Sequence, residues 1–345
     1  MKAVVWQGPE EMSVEEVPEP DLQAGMVVLR PEAVGICGSE VEGYLGKMGN
    51  RTPPLVMGHE FAGTVVEVGE GVNENLVGRT VAVNPLSSDG TCRLCRAGLA
   101  NLCPNRTLIG IHYPGGFAEL ARAPVENVYP LPEGFSGGAR IGALAEPLAN
   151  GVHAARLRGT AGEAVEHAVV IGAGTIGLMC LQAAVLDGIP HVSVVEPHEA
   201  RREQAMGLGA QAAYSSGTDC RETLEATTEG LGPDLVIDAV GAKATRRMAV
   251  EELVRPGGLV VMVGLHDDAT TLGFHDVVRG QISIQGSYAY TASDYEQALD
   301  WLVDGRAGIG ELPPVLPLER GPDAFAELVR GPSAQIKVFL SGSAG

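Results

Sequence analysis

Val169-Val170-Ile171-Gly172-Ala173-Gly174-Thr175-Ile176-Gly177 decides the fold. A strand-like apolar run leads straight into G-x-G-x-x-G spacing, and a helical stretch opens from it. In such a loop the first glycine permits the tight turn and the second lets the backbone approach a pyrophosphate. The third lets the helix pack on the strand, and the helix N-terminus faces the phosphates. Gly172, Gly174, Thr175, Ile176 and Gly177 are therefore the expected dinucleotide cradle. The next strand ends at Val194-Val195-Glu196, 22 residues past Gly174. An acidic side chain there accepts from both ribose hydroxyls of NAD and repels the 2′-phosphate of NADP. That favours NAD, although Arg201 and Arg202 close behind would tolerate a phosphate; Arg201 is kept as a cofactor-side candidate. The charge-free run from Ala168 to Leu186 approaches the length of a membrane span. Its three glycines in phosphate-loop spacing argue against that reading.

Outward from this loop, strand patterns alternate with helical ones. The expected strands are His167–Ile171, His191–Val195, Ala212–Tyr214, Asp234–Ala239, Gly258–Val263 and Ile282–Gly286, with an irregular Val263–Ile282 connection. Six short apolar strands joined through helices indicate a doubly wound parallel α/β sheet. The first third is β-rich instead, with Val-rich runs at Ala3–Gln7, Val27–Ala33, Gly63–Val68 and Thr80–Val83. Gly138 to Leu157 reads as helix interrupted at Pro147. Helices are expected at Ser293–Val303 and Asp323–Val329, and a closing strand at Gln335–Leu340 rejoins the first part.

At 345 residues, and roughly 150 per domain, about two domains are expected, with one large fold as the alternative. Hydrophobic residues at 45% and charged residues at 19% exclude a disordered chain. A formal net charge of −19 repels phosphate backbones and anionic membranes, so neither nucleic acid nor membrane is an expected partner. The N-terminal apolar run is too short for a signal peptide, and a cytoplasmic location is expected. Three of the six cysteines cluster within twelve residues, which in such a chain reads as metal ligation before disulfides.

Two constellations carry metal chemistry. Cys37-Gly38-Ser39-Glu40, Gly58-His59-Glu60 and Glu146-Pro147 supply Cys, His and Glu, all zinc ligands. Taken singly, His59 reads as an ordinary structural histidine and Cys37 as packing; beside a dinucleotide loop the set is far more specific. The second is Asp89, Cys92, Cys95 and Cys103: a C-x-x-C pair, a third cysteine, and a carboxylate placed to be the fourth tetrahedral ligand. Its bland alternative is a metal-free lobe with three free thiols.

In this order, and over essentially the whole chain, these motifs resemble the zinc-dependent medium-chain alcohol dehydrogenases. The Glu directly after the zinc His, the Glu146-Pro147 pair and Gly286-Ser287-Tyr288-Ala289-Tyr290-Thr291 resemble the sorbitol, butanediol and threonine dehydrogenase branch. The resemblance implies a GroES-like β domain from both chain ends, residues 1–150 and 288–345, around a Rossmann domain at 151–287. It implies Cys37, His59 and Glu60 as catalytic zinc ligands, with Glu146 behind them or exchanging with Glu60. Ser39 becomes the first proton relay beside the substrate oxygen. Glu40 stands where the family usually has Asp, orienting the zinc His. A homotetramer or homodimer joined through the edge of the Rossmann sheet is also implied, with Ile282–Gly286 as candidate contact.

Three departures stand out. Asp89 replaces the usual first Cys of the structural lobe. Glu42 occupies the place of a relay His. Ala289 lies where sorbitol dehydrogenases carry a substrate-side Arg. The expected reaction is reversible NAD-linked oxidation of a secondary alcohol in a polyol, cyclitol or vicinal diol. The rivals are an amino-alcohol such as threonine, and a polyol phosphate, which needs basic pocket residues that the sequence does not reveal. A zinc protein without catalysis, or a zinc-free enone or quinone reductase, fits poorly with an intact Cys37, Ser39, His59 and Glu60.

Overall fold

The structure is a computed structural model, and it describes residues 1–160, 164–331 and 336–343. The chain forms two compact units. The first comprises Met1–Glu146, Ala298–Gly305 and Glu311–Gly345. Its main sheet has seven strands, built around Met26–Gly35. Seven of its ten residues are buried, and it is paired along both edges. Glu60–Val68 pairs antiparallel on one side, in a register that sets Gly35 opposite Glu60 and Val34 opposite Phe61. The register shifts between Pro31 and Ala33, where proline offers no ladder N–H. On the other side lie the chain-terminal strand Phe339–Ser341, and beyond it Val315–Pro317. The C-terminus thus rejoins the β-rich part, as expected, but its strand begins later than anticipated, and Gln335 lies outside the described residues. A smaller sheet joins Glu11–Glu16, Lys2–Gly8 and Leu55–Val56. Trp6, Phe61, Phe117 and Phe325 fill the core, with Phe117 and Phe325 edge-to-face at 5.8 Å.

The second unit comprises Pro147–Gln297 and Arg306–Gly310. Its six parallel strands run in the order Ala212–Tyr214, His191–Val195, His167–Ile171, Leu235–Asp238, Leu259–Met262 and Ser283–Gly286. The direction of winding reverses between His167–Ile171 and Leu235–Asp238, so the carboxyl ends of these two strands form the switch point. The inner strands read Val-Val-Ile and Leu-Val-Ile because both faces are covered. Helix Thr175–Leu186 is buried from Gly177 to Ala184, which is why it carries no charge. Among the described residues no helix is long and apolar enough to cross a membrane.

Two element expectations need correction. Pro147 does not interrupt its helix. It sits in the first turn of Ala145–Arg156, where its missing N–H would have had no intrahelical partner; the break falls earlier, after Gly142. The Val263–Ile282 connection also holds a short helix, Phe274–Arg279.

Candidate metal centre and cofactor loop

Cys37 caps helix Gly38–Tyr44, and Glu40 in its first turn does three things at once. Its Oε2 accepts from the Cys37 backbone N–H at 3.1 Å. Its Oε1 accepts from the Gly58 N–H at 2.7 Å and pairs with His59 Nδ1 at 2.8 Å. One buried carboxylate therefore clamps the two ligand segments together and leaves the other ring nitrogen of His59 for a metal. Burial works against the charge on Glu40, but the His59 charge and hydrogen bonds outweigh it and hold the carboxyl below its usual range. Burial likewise opposes charge on His59, yet Glu40 and the Cys37 sulfur raise its affinity for a proton well above normal.

Cys37, His59 and Glu60 each offer a donor atom, and these lie within 4.8 Å of one another. Glu60 is 1% exposed. Its Oε2 is taken by the Lys337 ammonium, which also donates to the Ile36 carbonyl at 3.3 Å. Its Oε1 is buried with no hydrogen-bond partner. A buried carboxylate oxygen left unpaired beside a thiol and an imidazole fits a cation-binding site, and thiolate, imidazole and carboxylate suit zinc. Gly35 makes the space: a Cβ there would collide with Glu60 Oε2 and press on Lys337. Ser39 Oγ donates to Cys37 Sγ at 3.4 Å and accepts from Arg51 Nη2 at 3.3 Å. Glu146 is buried in the first turn of Ala145–Arg156 but is not in the three-residue cluster; its charge acts on Lys337. Glu42 pairs with Lys47 at 3.0 Å.

Lys337 and Arg51 escaped the motif reading. A signal existed for the first. Lys337 is one of only four lysines and sits inside the apolar closing stretch, where a solvated ammonium does not belong.

The second cluster is also assembled. Donor atoms of Asp89, Cys92, Cys95 and Cys103 lie within 4.8 Å of one another. Cys92 Sγ is 3.5 Å from Cys95 Sγ and 3.9 Å from Cys103 Sγ, and Cys95 Sγ is 3.4 Å from Asp89 Oδ1. Thiolates around tetrahedral zinc sit about 3.8 Å apart, from a Zn–S bond near 2.3 Å. Asp89 Oδ1 accepts from the N–H groups of Thr91 and Cys92, and Oδ2 from Asn105. Those bonds hold its carboxyl far below the usual range.

In the second unit, Gly172 has φ +93° and Gly177 packs against the Gly172 carbonyl, leaving no room for a Cβ. A Cβ on Gly174 would meet nothing within 4 Å, so the loop faces open space at the position where a pyrophosphate approaches. Thr175 and Ile176 open the helix. Glu196, 4% exposed, accepts from the N–H groups of Ala173 and His198, both at 2.9 Å, and so joins the loop to the next strand. Arg201 and Arg202 lie on helix Glu199–Gly207, with Arg202 donating to the Glu196 carbonyl.

Comparison with known proteins gives the family. Residues 23–133 match the alcohol dehydrogenase GroES-like domain, and residues 175–304 match the zinc-binding dehydrogenase domain. The chain is similar to 2-dehydro-3-deoxy-L-galactonate 5-dehydrogenase of Pseudoalteromonas atlantica, 32% identical over 90% of each chain. It resembles a structure from Sinorhizobium meliloti assigned as a zinc-binding dehydrogenase and bound to NADP, with TM-score 0.87, 29% identity and 99% and 98% of the two chains covered. It also resembles the RspB alcohol dehydrogenase of Escherichia coli CFT073 complexed with NADH, with TM-score 0.87, 28% identity and 99% of each chain covered. With GroES-like and Rossmann-type units, a zinc-type donor cluster and a dinucleotide loop, the chain belongs to the zinc-type medium-chain alcohol dehydrogenases, oxidoreductases acting on alcohols.

Proposed function

We propose that the protein oxidises a secondary alcohol of a polyol, cyclitol or vicinal diol to a ketone, reversibly, with NAD. The unpaired, buried Oε1 of Glu60 beside Cys37 and His59 carries this reading. Cys37, His59 and Glu60 hold the catalytic zinc, with Glu146 behind them. Zinc supplies a Lewis acid that acidifies a hydroxyl near neutral pH. NAD supplies the hydride acceptor. Ser39 takes the hydroxyl proton, and Glu40 fixes the tautomer of His59. Gly172, Gly174, Thr175, Ile176 and Gly177 cradle the pyrophosphate, and Glu196 receives the ribose hydroxyls, which supports NAD over NADP. Glu60 and Glu146 make the centre polar, which suits a polyhydroxylated substrate better than a simple aliphatic alcohol. The Pseudoalteromonas relative, by its name, acts on a polyhydroxy compound. Asp89, Cys92, Cys95 and Cys103 hold a second, structural zinc.

Purified zinc-loaded protein should reduce NAD⁺ with at least one polyol, cyclitol or vicinal diol, at a KM well below that for NADP⁺. Cys37→Ser and His59→Ala should abolish turnover and leave NADH binding intact. Near-normal kcat in either variant would falsify the mechanism. Metal analysis should find two zinc ions per chain, with Cys37→Ser losing one and Asp89→Ala weakening the other.

A further inference from the structure

Arg51 lies between helix Gly38–Tyr44 and strand Leu55–Val56 and is only 6% exposed. A guanidinium has five N–H donors and stays charged. Two donors are used here, both toward neutral oxygens: Nη1 to Asn50 Oδ1 at 3.2 Å and Nη2 to Ser39 Oγ at 3.3 Å. Nε is buried without a partner. Among the described residues Arg51 forms no ion pair, in a chain holding 43 acidic residues against 24 basic ones. The carboxylate that feels its charge is Glu40, but Glu40 already serves Cys37, Gly58 and His59. Space for this cation is kept by a glycine: a Cβ on Gly43 would stand 2.8 Å from Arg51 Cδ and 3.0 Å from Nε.

A buried charge without a counter-ion is costly, and proteins retain one where an anion arrives to meet it. Among the described residues no carboxylate is left to meet this cation, so the anion is assigned to a ligand. The guanidinium touches Ser39 Oγ, which touches Cys37 Sγ, so the anion sits within a few bonds of the group that reacts there. We infer that Arg51 is an anion subsite and that the substrate is a polyol bearing a carboxylate or phosphate group. This inference rests on the proposed function, with Ser39 beside the reacting hydroxyl, and names the class of its substrate. A fork of N–H donors grips either anion at two oxygens, which a lysine cannot reproduce.

Two measurements test it. The first compares kcat/KM with NAD⁺ for galactitol, galactonate and galactitol 1-phosphate. Wild type should favour one anionic compound over its neutral parent at least twentyfold, and which one identifies the carboxylate or phosphate source. Arg51→Met should bring that ratio below threefold, and Arg51→Lys should cut it at least fivefold if the Met variant fails to fold. Arg320→Met, an exposed control, should leave the ratio alone. The second measures the thermal shift given by glycolate and by inorganic phosphate to zinc-loaded protein with NADH bound. One anion should stabilise wild type, and Arg51→Met or Arg51→Lys should lose that gain. Turnover of neutral polyols with no anionic preference, or a preference that survives both variants, overturns the subsite and leaves the proposed function standing. No turnover in the whole panel, with an Arg51-dependent shift, keeps the subsite and removes the proposed function. No turnover and no Arg51-dependent shift removes both.

Discussion

Lys337 and Glu60 form an ion pair with both side chains 1% exposed. Removing one partner of such a pair leaves the other charge stranded, at a cost of about 3–5 kcal/mol. Lys337→Met should therefore lower the urea midpoint strongly in chelator-treated protein. Zinc-loaded protein should lose much less, because the ion neutralises Glu60 itself. Equal losses in both states would mean that no cation reaches Glu60. This residue scale is also where legibility in sequence was most uneven. Cys37, His59 and Glu60 stand in short contiguous motifs, so they could be picked out along the chain, and the fold groups their donor atoms within 4.8 Å. Lys337 meets Glu60 across 277 positions, and only strand pairing brings them together. Arg51 was unreadable for another reason: nothing in Asn50-Arg51-Thr52 separates a buried guanidinium from a solvated one.

Elements were legible where burial was uniform. His167–Ile171, His191–Val195 and Ala212–Tyr214 are apolar runs bounded by turns, and their limits are those read from sequence. Helix Phe274–Arg279 was not legible, because Phe274 and Val278 are 65% and 72% exposed and its apolar residues do not mark a buried face. The start of helix Ala292–Val303 offers a test at this scale. Asp294, 3% exposed, pairs with His153 at 2.9 Å and Arg156 at 2.6 Å, and accepts from the Thr291 N–H and hydroxyl. Burial pushes its carboxyl up, but hydrogen bonds from His153 and Thr291 win and hold it at about 2, below the ordinary 3.8. A lowered folded-state value stabilises above the unfolded value and is lost as pH falls through the folded one. The gain is up to about 2 kcal/mol. Asp294→Asn should thus be less stable than wild type at pH 7 in urea unfolding, and the gap should narrow between pH 4 and pH 2. A gap that does not change with pH would show that the pairing contributes no linked stability.

For the molecule as a whole, the open question is what meets the edge of the parallel sheet. Among the described residues, strand Ser283–Gly286 pairs only with Leu259–Met262, and all four of its residues are exposed. Ile284 is 39% exposed, and Leu265, Phe274 and Val278 in the same unit are exposed by more than 60%. An unpaired edge with exposed apolar side chains is normally blunted or covered, because it templates further strand pairing. Neither proline nor lysine protects it here, and the sequence of the strand is Ser-Ile-Gln-Gly. A net charge of −19 opposes casual association, so a contact at this edge must be specific to persist. Sheet extension by a second copy satisfies the open ladder and covers Ile284 in one step, and it is self-complementary, as a two-fold contact requires. Native mass spectrometry and sedimentation should find a dimer or tetramer of 35.8 kDa chains. Ile284→Lys, which puts a charge on the edge, should shift the population to monomer at micromolar concentration while each chain keeps its zinc. A wild-type monomer, or an Ile284→Lys protein that assembles like wild type, would place the contact elsewhere and leave this edge to be explained by a different partner.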